Sequence, residues 1–127
     1  HEEMERFMRK YPLDFIQVNY SLADRAAEDR ILPLAIDRGI AVLVNRPFGN
    51  GKLFWVVKGK KLPAWAAEID SSSWGQCFLK NIISHPAPTI PIPGTAKPHH
   101  AADNAAAMQG NLPDEKLRQK MEQLFNG

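Results

Sequence analysis

The chain has 127 residues, 44% of them hydrophobic, with a formal net charge of +2. That length suits one domain with its own core, and so small an excess of charge gives no ground for a nucleic-acid partner. No apolar run approaches the roughly 18 residues that span a bilayer. The opening His1-Glu2-Glu3 lacks the basic start and apolar centre of a signal peptide, and the lone Cys77 forms no internal disulfide, so a soluble cytoplasmic protein is expected.

Taken in chain order, residues 2–10 place Met4, Phe7 and Met8 at helical spacing, and Tyr11-Pro12 stops that helix. Because the first residue is not Met and falls against this helix, the sequence is expected to be a piece of something longer. Phe15 to Tyr20 is rich in β-formers, and Asp24 offers a cap for a predicted helix over 25–38, which Gly39 ends. Ile40 to Val44 is an apolar run of the kind buried on both faces in a parallel sheet. Asn45 to Pro63 is predicted as a loop, holding Gly49, Gly51 and Gly59 with five lysines or arginines among nineteen residues, and loops of that length are usually functional. Residues 72–84 read as a helix with Trp74, Cys77, Phe78 and Ile82 inward, closed by His85-Pro86. A short strand follows, then an alanine-rich helix over 98–108, then a last helix opened by Pro113-Asp114-Glu115 and carrying Leu117, Met121, Leu124 and Phe125. Strands alternating with helices predict an α/β fold with parallel crossovers and three strands. Pro91 inside the last strand requires that strand to be short or at an edge.

The stretch Thr89 to Asn104 has the composition of an anion-binding turn. An apolar strand gives way to Gly94-Thr95 and Lys97-Pro98, and Pro98 suits the first position of a helix whose free N–H groups attract phosphate. Three other patterns carry less. Gly49-Asn50-Gly51-Lys52 mimics part of a P-loop, but Arg46 and Leu53 stand where glycine and Ser or Thr are needed. His99-His100 lacks spaced partner ligands for a metal, and Cys77 reads as core. The lysines 52, 58, 60 and 61 leave open a basic nucleic-acid module, which needs them gathered with aromatics on one face.

The segments D-F-I-Q-V-N-Y-S-L, L-P-L-A-I-D-R-G-I-A-V-L, N-R-P-F-G-N-G and T-I-P-I-P-G-T-A-K-P followed by D-N resemble, in order and spacing, the C-terminal half of an aldo-keto reductase. The resemblance covers nearly the whole chain, residues 1–127. It implies the C-terminal part of a (β/α)8 TIM barrel, strands 6 to 8 with their helices. It also implies an oxidoreductase parent that reduces aldehydes or ketones with NADP(H), ahead of NAD(H).

Carried over by position, Gln17 matches the residue that hydrogen-bonds the nicotinamide carboxamide. Asn45 stands where an aromatic ring often stacks on the nicotinamide, and Arg46 where a serine often meets the pyrophosphate. Phe48, Gly49 and Gly51 match backbone donors to the cofactor. Gly94 replaces a lysine used for the 2′-phosphate, Thr95 keeps the adjoining hydroxyl, and Lys97 lies close enough in sequence to supply the charge. His100 stands where an arginine covers adenine and the 2′-phosphate; Asp103 and Asn104 match positions that meet adenine. Arg46, Lys97 and His100 read equally as solvated surface residues, and Gln17 as a satisfied strand amide.

The family's catalytic aspartate, tyrosine, lysine and histidine come from the first four strands, and no matching motif occurs here. Tyr11 and Tyr20 belong to other patterns, so no catalytic residue is assigned and the chain alone is expected to be inactive. A non-catalytic barrel relative that binds a dinucleotide for sensing or partner interaction is the alternative. A closed barrel takes about 250 residues, so the expected partners are the missing N-terminal half or another copy, together with a small carbonyl substrate; no metal, nucleic acid or membrane is expected.

Overall fold

A computed structural model describes residues 1–94 and 98–125 of the chain. The three β-rich runs form one parallel sheet, in which β1 (Phe15–Asn19), β2 (Ala41–Asn45) and β3 (Thr89–Pro91) lie in that order. Ile16 sits opposite Val42 and Val18 opposite Val44, while Gln17, Leu43 and Ile90 share a row. Side chains alternate across a strand, so this register sorts the sheet into two faces. One face buries Ile16, Val18, Val42 and Val44 against Met8 of helix α1 (Glu2–Lys10) and Ile31, Leu32 and Ala35 of helix α2 (Ile31–Arg38). The other face is open, with Phe15 59% and Ile90 50% exposed.

Pro91 is the last residue of a three-residue strand that pairs only with β2, so the donor it lacks is missed at an edge. The predicted helix over 25–38 is interrupted. A single 3-10 turn covers Ala26–Glu28, and the α-helix begins at Ile31. Pro33 explains the break: its ring is tolerated in a first turn but would collide with the carbonyl four residues earlier in a continuous helix. Gly39 then ends α2 with φ 66, a left-handed cap that glycine adopts without strain.

The long loop after β2 is more ordered than its glycines suggest. It contains helix α3 (Lys52–Val57) and a 3-10 segment over Ala64–Ile69. Helix α4 (Trp74–Ile83) begins where predicted within two residues, and the Ser73 hydroxyl caps it by accepting from the Gln76 amide. Leu53, Val57, Cys77, Phe78 and Met121 form a second core beneath helix α6 (Glu115–Gln123), capped by Asp114. Helix α5 (Pro98–Ala106) buries none of its residues, although Ala107 just beyond it is fully buried.

Two buried cations bind the outer layer together. Lys80 is completely buried, and its ammonium donates to the carbonyls of Ile69 and Asn111. Arg118 of α6 donates to the Asn81 carbonyl, to Ser84 Oγ at 2.6 Å and to Tyr20 Oη and Glu28 Oε2, each at 3.3 Å. The Tyr20 hydroxyl donates to Glu28 at 2.6 Å, and burial first, then that carboxylate, holds its pKa well above the ordinary phenol value. Burial likewise raises the Cys77 thiol, which suits a core residue and not a nucleophile. Among the described residues no helix is long and apolar enough to cross a membrane, and no cluster of His, Cys, Asp and Glu could hold a metal.

Candidate functional site

Parallel strands joined by helices deliver their loops to one end, where the strands finish and the following helices start. Here β1 and β2 finish at Asn19 and Asn45, side by side in register. With Gln17, these two amides line an open hollow of about 580 Å³ beside β1, together with His1, Glu3, Met4 and Phe7 at the chain's first helix and Leu13 after it. Each amide can both donate and accept.

Asn19 also lines the next cleft, of about 190 Å³, whose polar wall is Arg46, Asn50, Lys52 and Asp24. The backbone there is unusual. Arg46, Gly49, Asn50 and Gly51 all have positive φ, at 50, 61, 57 and 85. For arginine this conformation costs on the order of 1 kcal/mol. Gly49 is required on steric grounds as well, since a Cβ would lie 2.9 Å from Ala23 Cβ. Its N–H is already donated to the Arg46 carbonyl at 2.9 Å, so its contribution is close approach, not a free donor.

One residue back from Gly49, Phe48 opens onto a third cleft of about 380 Å³. Phe54 and Trp74 complete its apolar wall; Ser73, Gly75, Gly94, His100, Asp103 and Asn104 line the rest. Phe48 and Phe54 have ring centroids 4.8 Å apart, and Trp74 stacks on Phe78 at 5.9 Å and 23°. Asp103 is committed to α4: its carboxylate accepts from Ser73 Oγ at 2.7 Å and from Gln76 Nε2 at 2.9 Å. The Asn104 amide and the exposed His100 ring face the cleft beside it.

The residues singled out in the sequence therefore fall into a connected series. Gln17 and Asn45 lie in the amide hollow, Arg46 and Gly49 in the cationic cleft, and Phe48, Gly94, His100, Asp103 and Asn104 in the aromatic cleft. Gly51 supplies the turn into α3. Thr95 and Lys97 lie outside the described residues. The same clefts also take in Asn19, Lys52, Phe54, Ser73 and Trp74, which the sequence reading did not place there. For Trp74 a signal existed: a helix joining parallel strands starts at the end where the first strand finishes, so its opening residue lies near the site.

The whole of the described site falls within a match to the family model of the aldo/keto reductase family, over residues 1–123. The chain belongs to that family. It is 35% identical over 65 residues to the NADH-specific methylglyoxal reductase of Escherichia coli (strain K12), an alignment that takes in 51% of this chain and 20% of that protein. A crystal structure of an aldo/keto reductase from Klebsiella pneumoniae in complex with NADP and acetate superposes with a TM-score of 0.77 at 23% identity, covering 100% of this chain and 46% of that one. A Klebsiella pneumoniae aldo-keto reductase in complex with NADPH gives 0.75 at 26% identity, over 99% of this chain and 45% of that one. The chain thus spans about half the length of these solved reductases and a fifth of the curated relative. The α/β architecture with its parallel sheet is the one these barrel enzymes share over this region.

Proposed function

We propose that the chain forms the coenzyme-gripping part of an NADPH-dependent aldo-keto reductase, contributing strands 6 to 8 of the barrel. The observation that carries this reading is the order of the three clefts. The amide hollow shares Asn19 with the cationic cleft, and Gly49 of that cleft adjoins Phe48 of the aromatic one, a succession that matches a nicotinamide dinucleotide from carboxamide through diphosphate to adenosine. The residues present fit such a group. Gln17, Asn19 and Asn45 would hold the carboxamide, Arg46 and Lys52 the diphosphate, and Phe48, Phe54, Trp74 and Asn104 the adenosine.

When bound, the coenzyme supplies a hydride. The chain's own residues bind and orient it, and Asp103 fixes α5 against α4 so that Asn104 and His100 face the cleft. Proton transfer to the small aldehyde or ketone substrate is left to residues outside this sequence. Tyr20 is unsuited to that task, because its hydroxyl is buried between Glu28 and Arg118. The open face bearing Phe15, Ile90 and Ile92 is the surface that the barrel's remaining strands would cover.

NADPH is favoured over NADH by the NADP-bound and NADPH-bound Klebsiella structures, whereas the Escherichia coli relative is NADH-specific. Fluorescence titration tests the assignment. Trp74 emission is expected to be quenched saturably by NADPH, and Arg46→Ala is expected to weaken binding about tenfold or more, the worth of one charge-assisted hydrogen bond. Equal affinity in the variant would remove Arg46 from the diphosphate site, and no quenching at all would refute the reading.

A further inference from the structure

The cationic cleft has a wall that is held from far along the chain. Ala23 and Asp24 line it together with Arg46 and Lys52, and no residue of α6 does. These two residues belong to a tight turn after β1. Ser21 Oγ accepts from the Ala23 and Asp24 amides at 3.0 and 3.1 Å, and Ser21 and Asp24 exchange backbone hydrogen bonds. The turn sits on Gly49, where an added Cβ would lie 2.9 Å from Ala23 Cβ. Tyr20 and Glu28 flank it, and Arg118 of α6 donates to both from 98 and 90 residues further on. The other terminal nitrogen of that guanidinium donates to the Asn81 carbonyl and to Ser84 Oγ, at the close of α4. A second ion pair of α6, Glu122 with Arg25 at 3.0 Å, grips the segment next to Asp24.

Resting on the coenzyme reading above, we infer that Arg118 is a positioning residue for the diphosphate cleft: its fork ties the segment from Tyr20 to Glu28 to α4 and so keeps the Ser21–Asp24 turn seated on Gly49. A planar guanidinium reaches both sides at once, whereas a lysine ammonium is a point charge on a flexible stem. Arg118 is buried, so its bonds form in a low-dielectric setting where each is stronger than in water. The wall it holds mixes signs, with Asp24 beside Arg46 and Lys52. A turn that slips therefore changes the balance of attraction and repulsion felt by a bound diphosphate. The adenosine end is spared, because Trp74 opens α4 while Asn81 and Ser84 sit at its other end. Coupling between two sites is reciprocal, so a bound diphosphate tightens the docking of α6 in return.

The test measures dissociation constants of NADPH, adenosine 5′-diphosphate and adenosine 2′-monophosphate by tryptophan fluorescence in the full chain. Arg118→Lys is expected to weaken NADPH and adenosine 5′-diphosphate about fivefold, and to leave adenosine 2′-monophosphate, which has no diphosphate, unchanged. Glu122→Gln, at a partly exposed pair whose loss leaves the fold intact, is expected to shift the same two ligands in the same direction by less. In the native chain, saturating adenosine 5′-diphosphate should slow amide exchange in α6 more than saturating adenosine 2′-monophosphate does. Equal weakening of all three ligands would make Arg118 a general stabiliser and overturn the inference. Unchanged affinities in both variants, or equal protection of α6 by the two nucleotides, would overturn it too, and in each of these cases the coenzyme site stands. Absence of quenching by NADPH in the native chain would refute the site itself, and this inference with it.

Discussion

Arg46 is held in a left-handed conformation, with φ 50, that glycine would occupy without strain. Arg46→Gly is therefore expected to raise the melting temperature slightly, by relief of about 1 kcal/mol less the gain in unfolded-chain entropy, while weakening coenzyme binding. A variant that loses stability would show that the arginine side chain packs and does not merely wait for an anion. His85 supplies a pH dependence. Its Nδ1 accepts the Ala87 amide at 3.0 Å, and burial first, then the Arg118 guanidinium, hold its pKa below the usual imidazole value. The unfolded chain thus binds a proton that the native chain resists, so stability is full above about pH 6.5 and declines as pH falls below it. Thermal melts between acid and neutral pH should show this decline, and His85→Gln should flatten it; an unchanged slope would assign the acid sensitivity elsewhere.

At the level of helices, α5 is the exception in this fold because it docks without burying any of its own side chains. Besides the buried Ala107 just beyond it, hydrogen bonds from Ser73 and Gln76 to Asp103 tie it to the start of α4. Ser73→Ala removes both a cap and one of those bonds, and is expected to cost about 1 to 2 kcal/mol. Amide hydrogen exchange should accelerate in α5 as well as in the first turn of α4, whereas Asp114→Ala should loosen α6 and leave α5 protected. Exchange in α5 that ignores Ser73→Ala would mean the helix is held by other means.

Such polar docking is the part of the fold the sequence conceals. The strands, the Gly39 stop and the start of the last helix at Pro113-Asp114-Glu115 were legible because each is set by residues within one turn of one another. The interruption before Ile31 was masked by an amphipathic pattern that runs through Pro33. Helix α3 was masked by the glycines on either side of a stretch too short to show a period. For the proposed site, the family motifs supplied the positions from Gln17 to Asn104, and the clefts were not foreseen. Phe54 and Trp74 meet in one cleft through the packing of α3 on α4, which no local pattern records.

Across the whole molecule, the sheet divides the chain into a finished side and an unfinished one. Helices cover one face, while Phe15, Ile90 and Ile92 remain 59%, 50% and 42% exposed on the other, and among the described residues the outer edges of β1 and β3 have no strand partner. Exposed strand edges beside an apolar face favour association. Alone in solution, the chain is expected to self-associate with concentration, and Ile90→Lys should shift the equilibrium towards monomer. Sedimentation velocity checks both; a stable monomer at every concentration would show that the face tolerates water unaided.

The sealed ammonium of Lys80 has a practical corollary. Lysines on the surface meet an acylating reagent at once, but this amine sits between two main-chain carbonyls with none of its surface open to solvent. It reacts only when the packing of α4 on the segment before α6 comes apart. Mass-spectrometric acylation at that single amine therefore works as an internal clock for opening of the outer layer, and bound coenzyme should slow it wherever binding and opening are linked.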